Sequence, residues 1–330
     1  MSKTKFCQGL SDISDSYSGF ILDQWGVLHD GKEPYEHVIE TLEELKSRKK
    51  EIIILSNSGK RVKESKKRLK KLGIKSKLYS NIVTAGEMAW EGLKTRNEGI
   101  FKGLGNKCFL LSRKHDTSII DDTDIVMVDS PSEADFILFS GSNTPESSID
   151  SYELALKEAV KYRLKGICAN PDMHAIFKGK TYPGTGQIAK RYQEFGGVVD
   201  YIGKPHPPIL RKCLSLFKNA LPSSTVIVGD SLHHDILAGA LLEIDTALVK
   251  TGIHAGSFKK NQTPAEVDKV ISGLAVNYGV KPTYLLDEFA WGEPLPDRKH
   301  RKNVKKKKKL DKKPKDRMNK KKKKKTISEK

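Results

Sequence analysis

Four polar residues of this chain directly follow apolar runs that have the character of strands. Asp23 ends the run GFILD, Ser56 ends EIIILS, and Asp230 ends STVIVGD. Lys204 follows the shorter run VVDYI, in the sequence YIGKPHPP. In an open parallel sheet, ligands bind outside the carboxyl ends of the strands. Two acids, a hydroxyl and a lysine at such positions would suit a ligand-binding or catalytic site.

Each of these residues also has a purely structural interpretation. Asp23 could close a turn, and Ser56 could cap the helix that follows it. Lys204 could be an ordinary solvated lysine. Asp230 and Asp235 could cap the next helix and interact with its dipole. We favour a common site because unrelated capping residues would rarely all fall at strand ends.

The body of the chain alternates short apolar runs with longer stretches of helical spacing. The runs are rich in β-branched residues and are bounded by polar turn residues, which is typical of buried strands. Strands separated by helices predict βαβ units, and therefore a Rossmann-like, doubly wound α/β core with a parallel sheet. Strands are predicted at 19–23, 51–56, 107–112, 124–128, 135–140, 224–230 and 245–249. Helices are predicted at 35–49, 60–72, 147–164, 185–195, 207–218 and 232–242.

The formal net charge of +19 is concentrated at one end of the chain. Residues 298–330 hold 20 lysines and arginines against three acids, a balance of +17, so residues 1–297 carry only +2. This Lys-rich tail has almost no apolar residues, and we predict that it is disordered. It also lacks aromatic residues that could stack on bases. Any nucleic-acid binding by 298–330 should therefore be non-specific attraction to phosphates.

Other features of the composition bear on the compartment. The four cysteines are scattered and form no CxxC pair, which favours a reducing compartment and free thiols over a zinc site. No apolar run approaches the roughly 20 residues that cross a membrane, and the first residues do not resemble a secretory signal. We therefore expect a cytoplasmic protein without membrane partners. The tail leaves a nuclear or nucleolar address, or a simple solubilising role, as open alternatives.

Several stretches resemble the motifs of the haloacid dehalogenase-like hydrolase superfamily. The similarity is to class IIA, which includes nitrophenylphosphatase-like and nucleotide-phosphatase-like enzymes. It runs from about Gly19 to about Gly252 and rests on DQWGVLHDG, ILSNSGK, IGKP and VGDSLHHDILAG. The stretches CANPD and GTGQIAKRYQEFGG, at 168–172 and 184–197, resemble the end of the inserted cap domain of that class.

The resemblance implies roles for the residues that bind and attack a phosphoryl group. Asp23 would be the nucleophile that forms an aspartyl-phosphate. The Ser56 hydroxyl and the Asn57 amide would hold phosphate oxygens. Lys204 would neutralise charge on the nucleophile and on the phosphate. Asn170 and Asp172 would face the substrate from the cap, although the sequence Asn-Pro-Asp is equally typical of a plain turn.

The resemblance also implies a magnesium site, since Mg²⁺ prefers oxygen ligands. Its ligands would be the carboxylates of Asp23 and Asp230 and the backbone carbonyl of Trp25. Asp235 would orient these groups from behind, or through water.

About 150 residues separate Ser56 from Lys204, far more than an ordinary crossover needs. We interpret this stretch as an inserted α/β cap that excludes water and selects the substrate. The predicted domains are therefore a hydrolase core in two parts, 1–84 and 197–297, a cap at 85–196, and the tail at 298–330.

Trp25 departs from the pattern of active phosphatases in this superfamily, which usually have an aspartate two residues after the nucleophile. That aspartate protonates the leaving group, whereas an indole donates a hydrogen bond and does not titrate. Losing a general acid typically costs about 10²- to 10⁴-fold in rate. His29 and Asp30 are candidate replacements, although a loop acid beside a polar neighbour explains both more simply. Another branch of class IIA resembles this sequence in carrying Asp-x-Trp-Gly-Val.

Three functions follow as hypotheses. The first is a Mg²⁺-dependent phosphatase of low or specialised activity on a small phosphorylated metabolite. The second is a catalytically silent protein that keeps the fold and binds a metal or ligand. The third is a nucleic-acid-associated protein that acts through 298–330. The superfamily's dehalogenases also lack the second aspartate, but they need no metal, and GDSLHHD resembles an intact metal motif.

Overall fold

The computed structural model describes residues 3–143, 145–177 and 180–292, where strands alternate with helices. The strands are β1 (Lys5–Cys7), β2 (Gly19–Asp23), β3 (Glu51–Ser56), β4 (Asn81–Thr84), β5 (Lys107–Leu111), β6 (Val126–Val128), β7 (Phe136–Phe139), β8 (Lys165–Cys168), β9 (His174–Phe177), β10 (Lys180–Pro183), β11 (Val198–Tyr201), β12 (Thr225–Gly229), β13 (Asp245–Val249) and β14 (Tyr284–Leu286). The helices are α1 (Ser11–Ser14), α2 (Val38–Ser47), α3 (Val62–Lys71), α4 (Ala85–Thr95), α5 (Glu153–Lys161), α6 (Thr185–Glu194), α7 (Pro207–Ser215), α8 (Leu237–Leu241) and α9 (Pro264–Val276). The tail at 298–330 lies outside the described residues.

A seven-stranded parallel sheet forms the core, in the order β1-β14-β13-β12-β2-β3-β4. Its central strands are buried on both faces, and Ile52, Ile53 and Ile54 of β3 are all fully inaccessible to solvent. Continuous β-branched runs suit such a position, since helices cover both faces of a parallel sheet. The predicted strands at 19–23, 51–56 and 245–249 coincide with β2, β3 and β13.

A second, five-stranded parallel sheet is inserted between β4 and β12. Its order is β11-β8-β7-β5-β6, and a hairpin formed by β9 and β10 accompanies it. The sheet has a hydrophobic core of its own, in which Ile137, Leu156, Ile188 and Tyr192 are buried together. The predicted α/β core with an inserted α/β cap is thus confirmed. The domain boundaries at 84, 196 and 297 stay predictions.

The helix predicted at 232–242 divides into two parts. Leu232–Ile236 forms a π-helical turn, and α8 continues from it. The Ser231 hydroxyl accepts a hydrogen bond from the amide of His234 at 3.2 Å and caps the turn. Single π turns inside helices occur frequently at functional sites. Asp235 lies within this one.

None of the helices in the described part of the chain is long and apolar enough to span a membrane.

Candidate active site

The order of the core strands brings three predicted site residues to one edge of the sheet. Strand β2 lies between β12 and β3, with Asp23 in register with Leu55 and Leu22 in register with Val228. Asp23, Ser56 and Asp230 therefore leave neighbouring strands in the same direction. All three are buried. Lys204 reaches the same place from the other sheet, because it follows β11.

Lys204 joins two of the carboxylates. Its Nζ donates hydrogen bonds to Oδ1 of Asp23 at 2.6 Å and to Oδ1 of Asp235 at 2.7 Å. The Lys204 side chain is only 3% exposed, and that of Asp235 only 1%. Asp235 also accepts a hydrogen bond from the amide of Ser231 at 3.1 Å. Asp235 is therefore held in place by groups of the protein itself.

Asp230 is the carboxylate that Lys204 does not bind. Its Oδ2 accepts a hydrogen bond from the amide of Ile253 at 2.8 Å. Gly26 and Gly252 pass so close to it that a Cβ atom on either would lie 2.0 or 1.9 Å from Oδ2. Both glycines also have positive φ, of +80° and +74°, which L side chains rarely adopt. The loops after β2 and β13 thus fit around this carboxylate only because they carry glycine.

The charges of this cluster do not balance. Asp23, Asp230 and Asp235 offer oxygens that all lie within 4.8 Å of one another, whereas Lys204 supplies a single positive charge. Burial raises the pKa of Asp23 to about 7, although the Lys204 ammonium opposes the shift. Burial, together with the charges of Asp23 and Asp235, also raises the pKa of Asp230 well above its usual value. Burial disfavours the Lys204 ammonium, but the two carboxylates outweigh it and raise its pKa.

The donor set suits a divalent cation. If all three carboxylates were ionised, the single ammonium would leave two negative charges in a buried site, and burying uncompensated charge is costly. The available donors are hard oxygens, which Mg²⁺ and Ca²⁺ prefer over nitrogen or sulfur. A doubly charged cation would neutralise the excess. The residues present therefore fit the metal that the resemblance implies.

Asn57 connects the loop after β3 to the other parts of the site. Its side-chain amide donates hydrogen bonds to Oδ1 of Asp172 and to the carbonyl of Lys204, both at 3.0 Å. Its Oδ1 accepts a hydrogen bond from the amide of Lys204 at 2.7 Å. The Ser56 hydroxyl, one position earlier, accepts a hydrogen bond from the amide of Ser58 at 3.3 Å. Asn57 thus fixes Lys204 and holds Asp172 of the cap beside it.

The two cap residues predicted to face the substrate have different positions. Asp172 lies beside Asn57, and its Oδ1 is 3.7 Å from Nδ1 of His234. The surrounding protein displaces water and raises the pKa of Asp172, even though 37% of its side chain is exposed. The Asn170 side chain instead accepts a hydrogen bond from the amide of Asp172 at 3.3 Å, as in an Asx turn. The structure thus brings Asp172 to the cluster and uses Asn170 to shape the turn.

The two candidate replacements for the missing acid have structural roles. His29 is fully buried, and its Nδ1 accepts a hydrogen bond from the amide of Gly31 at 2.9 Å. Burial lowers the pKa of His29 to about 4, so the ring is neutral and carries its proton on Nε2. Asp30 accepts hydrogen bonds from the amides of Lys32 and Glu33, which hold its pKa below the usual value. Neither residue is poised to donate a proton to a leaving group.

The Gln24 side chain lies within hydrogen-bonding distance of this histidine. Its amide nitrogen lies 3.0 Å from Nε2 of His29, while its own oxygen has no partner. Exchanging the two amide atoms would let the oxygen accept the proton on Nε2, and such exchanges are assigned from the hydrogen-bond network. His29 and Gln24 then form a neutral hydrogen-bonded pair, with the Gln24 amide nitrogen at the position that has no partner among the described residues.

The sequence interpretation missed two residues near the site. His234 is buried, burial lowers its pKa to about 3, and its Nε2 has no hydrogen-bond partner. Its only sequence signal is the pair of histidines in GDSLHHD. Arg68 lies over Trp25, with its guanidinium carbon 4.8 Å from the centroid of the indole. Arg68 has no sequence signal, because it is one cation among many in VKESKKRLKK.

Comparison with known proteins agrees with this fold. A family model described as haloacid dehalogenase-like hydrolase matches residues 20–126, and a second model of HAD-like hydrolases matches residues 201–276. The chain resembles a solved haloacid dehalogenase-like hydrolase of Brucella suis with a TM-score of 0.71, at 22% identity, over 86% of this chain and 99% of that one. At this identity, the structural match supports the fold alone.

Two curated relatives match over shorter segments. A dihydroxyacetone phosphatase of Corynebacterium glutamicum is 29% identical over 161 residues, which are 46% of this chain and 52% of that protein. The ribonucleotide monophosphatase NagD of Escherichia coli is 40% identical over 88 residues, 26% of this chain and 34% of that protein. The chain thus spans about half the length of the first relative and about a third of the second.

The chain thus combines a Rossmann-like α/β core, an inserted cap and a buried carboxylate–lysine cluster. The chain belongs to the haloacid dehalogenase-like hydrolase superfamily, in the class IIA branch that includes NagD. The family predicted from the motifs is thereby confirmed.

Proposed function

We propose that this protein is a phosphatase that hydrolyses the phosphate ester of a small metabolite. The observation that carries the proposal is the buried cluster of three carboxylates around Lys204 at the carboxyl ends of β2 and β12. Such a cluster serves no packing purpose, and its excess negative charge suits a site that binds a divalent cation together with a phosphate. The names of the relatives, among them phosphatases for dihydroxyacetone phosphate and ribonucleotides, support a small phosphorylated substrate.

In this proposal Asp23 attacks the phosphorus atom. The bond from phosphorus to the ester oxygen breaks, this oxygen takes a proton from solvent water as the alcohol leaves, and an aspartyl-phosphate forms on Asp23. Water then attacks that phosphorus and releases inorganic phosphate, which regenerates the Asp23 carboxylate. Lys204 already binds Asp23 and would neutralise charge that collects on the phosphoryl oxygens. Ser56 and the backbone amide of Asn57 would hold the same oxygens.

A divalent cation, which we propose to be Mg²⁺, would be held by Asp23, Asp230 and the backbone carbonyl of Trp25. When bound it would supply positive charge next to the phosphoryl group. Asp235 is already bonded to Lys204 and to the amide of Ser231, so it would support this site rather than ligate directly. The nearby His234 is neutral because of its burial, and it would leave the charge balance unchanged.

Protonation of the leaving group is the step for which this chain is poorly equipped. Trp25 stands where an aspartate usually serves, and the structure gives His29 and Asp30 structural roles. We therefore propose slow turnover of substrates whose alcohol is a poor leaving group. The same substitution at Trp25 favours a second candidate function, a catalytically silent protein that binds a phosphorylated ligand.

The tail at 298–330 lies outside the described residues. Its non-specific binding to nucleic acid and its nuclear or nucleolar address remain predictions from its charge. The cytoplasmic location likewise remains a prediction.

A screen of phosphorylated metabolites against the full-length protein tests the proposed function. Phosphate release should require Mg²⁺, should stop after chelation, and should be absent in the Asp23→Asn variant. Acid quenching during turnover should trap phosphate on a peptide that contains Asp23. Turnover that persists in Asp23→Asn would refute the phosphatase mechanism. Ligand binding without turnover in any condition would favour the silent protein.

A further inference from the structure

Trp25 and Arg68 form an ordered pair at the side of the proposed catalytic cluster. The Trp25 indole is held from one side by Gly31, where an added Cβ would lie 2.2 Å from its ring. His29 packs against it edge to face, with ring centroids 4.9 Å apart. The guanidinium of Arg68 covers the indole at 4.8 Å. Even so, 37% of Trp25 remains exposed, so the pair presents a surface to solvent.

Arg68 has no anionic partner within the described part of the chain. It forms no ion pair there, and the neighbouring ion pair of helix α3 joins Lys67 to Glu64 instead. Its charged neighbour is a second arginine, Arg113 of the cap. Burial, and after it the charge of Arg113, lowers the pKa of Arg68. Arg113 therefore contributes a second positive charge in the surroundings of Arg68.

A second arginine–tryptophan pair in this fold, in which the arginine also binds a carboxylate, provides a comparison. Arg61, also at α3, lies 3.5 Å from the ring centroid of Trp90. Its guanidinium donates two hydrogen bonds to Glu87, at 2.8 and 3.0 Å. In each pair an arginine packs on an indole. Within the described part of the chain, however, only Arg61 of the two arginines also binds a carboxylate. A half-buried guanidinium without a carboxylate is poorly compensated unless an anion binds to it.

The position of the unpaired group points to the substrate. Trp25 is two residues from Asp23, so their Cα atoms are at most about 7 Å apart. Arg113 lines a small cavity together with Ser140 and with Gly59 of the loop after β3. A ligand with its phosphate at Asp23 that extends along the Trp25 side chain would approach Arg68, which covers the indole.

We propose that the substrate carries a second anionic group on its leaving-group side, and that Arg68, with Arg113 opposite, binds this group beside the face of Trp25. The proposal rests on the proposed phosphatase function and names its substrate class, a phosphate ester that also bears a carboxylate or a second phosphate. The planar guanidinium fork matches either oxyanion with two parallel hydrogen bonds. Arg68 then acts as a specificity residue, and Trp25 fixes the plane of its guanidinium.

Matched substrate pairs test the proposal. Phosphoglycerate and glycerol phosphate differ by a carboxylate, and glycerol bisphosphate adds a second phosphate instead. The wild-type protein should prefer at least one of the two doubly anionic compounds over glycerol phosphate. The Arg68→Met variant should raise KM for the preferred compound by about 10- to 100-fold and leave KM for glycerol phosphate within about twofold. Arg68→Lys should recover part of the loss, because it keeps the charge but not the fork.

Lys67→Met is the matched control. It removes one positive charge from the same helix, at a side chain that is 69% exposed and paired with Glu64. It should change KM for both classes of substrate equally and slightly. If Lys67→Met reproduced the effect of Arg68→Met, the preference would reflect the overall charge of the protein, and the proposed site would be refuted.

Binding measurements separate failure of this proposal from failure of the phosphatase function. In the Asp23→Asn background, calorimetry should show tighter binding of the preferred compound than of glycerol phosphate, and Arg68→Met should abolish the difference. If calorimetry showed this Arg68-dependent difference in affinity but the wild type had no turnover, the anion site would be supported and the phosphatase function refuted. Turnover with equal KM values for the matched compounds would support the phosphatase function and refute the anion site. Absence of both binding and turnover for every compound would overturn the anion site as well.

Discussion

Asp23 and Trp25 leave the same strand two residues apart, but their surroundings differ in almost every respect. The Asp23 side is buried and negative, and its carboxylates are held by Lys204 and by backbone amides. The Trp25 side is partly exposed and positive, and its arginine has no carboxylate partner among residues 3–143, 145–177 and 180–292. The first side resembles what the whole superfamily needs for phosphoryl transfer. The second differs from the usual pattern at the residue that would touch the leaving group.

This difference between the Asp23 side and the Trp25 side suggests a separate role for each set of residues. The carboxylate side constrains its neighbours tightly, because Gly26 and Gly252 leave no space around Asp230. The tryptophan side would contact the leaving group of the substrate. In place of the usual aspartate it has the flat, apolar indole of Trp25 and the guanidinium of Arg68. In the proposed phosphatase, chemistry at the phosphorus and recognition of the leaving group would thus be separated, and mutations on the two sides should have different effects on kcat and KM.

The largest expected effect is on the carboxylate side. Asp23→Asn should lower kcat by about 10⁴-fold or more, because an amide cannot form the aspartyl-phosphate. Steady-state kinetics on the best metabolite from the screen measures this. Asp30→Asn is the matched control, since it changes an acid of the same loop that caps a turn through backbone hydrogen bonds. A loss in Asp30→Asn comparable to that in Asp23→Asn would show that the loop acid takes part in catalysis.

The next effect distinguishes two carboxylates on the same side. Asp230→Asn should weaken Mg²⁺ binding by more than about 100-fold, whereas Asp235→Asn should weaken it by about 10- to 100-fold. The reason is that Asp235 is occupied by Lys204 and Ser231, while Lys204 leaves Asp230 free. Calorimetric titration with Mg²⁺ measures both affinities. Equal losses would contradict the division between ligand and support.

The part of the fold that could be predicted from sequence is the part whose residues are buried on both faces. Runs such as EIIILS have no other suitable position, so β2, β3 and β13 have the predicted bounds. The predictions missed α9, although Thr263 and Glu266 form a capping box at its start, with Pro264 in the first turn. This capping signal is local in sequence, so the start of α9 is a feature that the sequence alone can predict.

The part of the site that could not be predicted depends on packing between distant segments. Asn57 and Asp172 are 115 positions apart and meet only because the cap lies over the core. Arg68 is chemically indistinguishable in sequence from the lysines around it, and only its place on α3 puts it over Trp25. Sequence motifs therefore located the carboxylates that cluster in the fold, but they carried no information about the packing of Arg68 on Trp25.

A smaller effect is expected on the tryptophan side. Trp25→Asp should restore a leaving-group acid and raise kcat by up to about 10²-fold on substrates with poor leaving groups. The gain should be small on nitrophenyl phosphate, whose leaving group needs little protonation. Trp25→Phe, which also removes the indole but adds no acid, is the control. Equal rates in the two variants would show that removal of the indole, and not the new carboxylate, is responsible.

Arg68 should limit this rescue. A carboxylate at position 25 would lie near the Arg68 guanidinium, which now covers the indole at 4.8 Å, and an ion pair between them would keep the new acid deprotonated. Adding Arg68→Met to Trp25→Asp should therefore increase kcat further on a substrate without a second anion. A double variant slower than Trp25→Asp alone on that substrate would contradict this coupling.

The smallest effect compares the stability of the two arginine–tryptophan pairs. Arg61→Met should lower the free energy of unfolding by about 1–3 kcal/mol, because it removes two charge-assisted hydrogen bonds from a partly buried Glu87. Arg68→Met should change it by less than about 1 kcal/mol, since the lost contact with Trp25 is offset by the removal of an uncompensated charge. Chemical denaturation at neutral pH, in the absence of ligand, measures both.

The pH dependence of the free energy of unfolding also distinguishes Arg61→Met from Arg68→Met. Burial alone would raise the pKa of Glu87, but hydrogen bonds from Arg61 and from the amide of Val62 outweigh it and hold the pKa below its usual value of 4.5. A depressed folded-state pKa contributes stability above the unfolded-state value and loses it as pH falls through the folded-state value. The deficit of Arg61→Met should therefore shrink as pH falls below about 4.5, whereas that of Arg68→Met, with no carboxylate to titrate, should stay constant. A deficit for Arg68→Met that also shrank in acid would mean that Arg68 has a carboxylate partner in solution, and the difference between the two pairs would disappear.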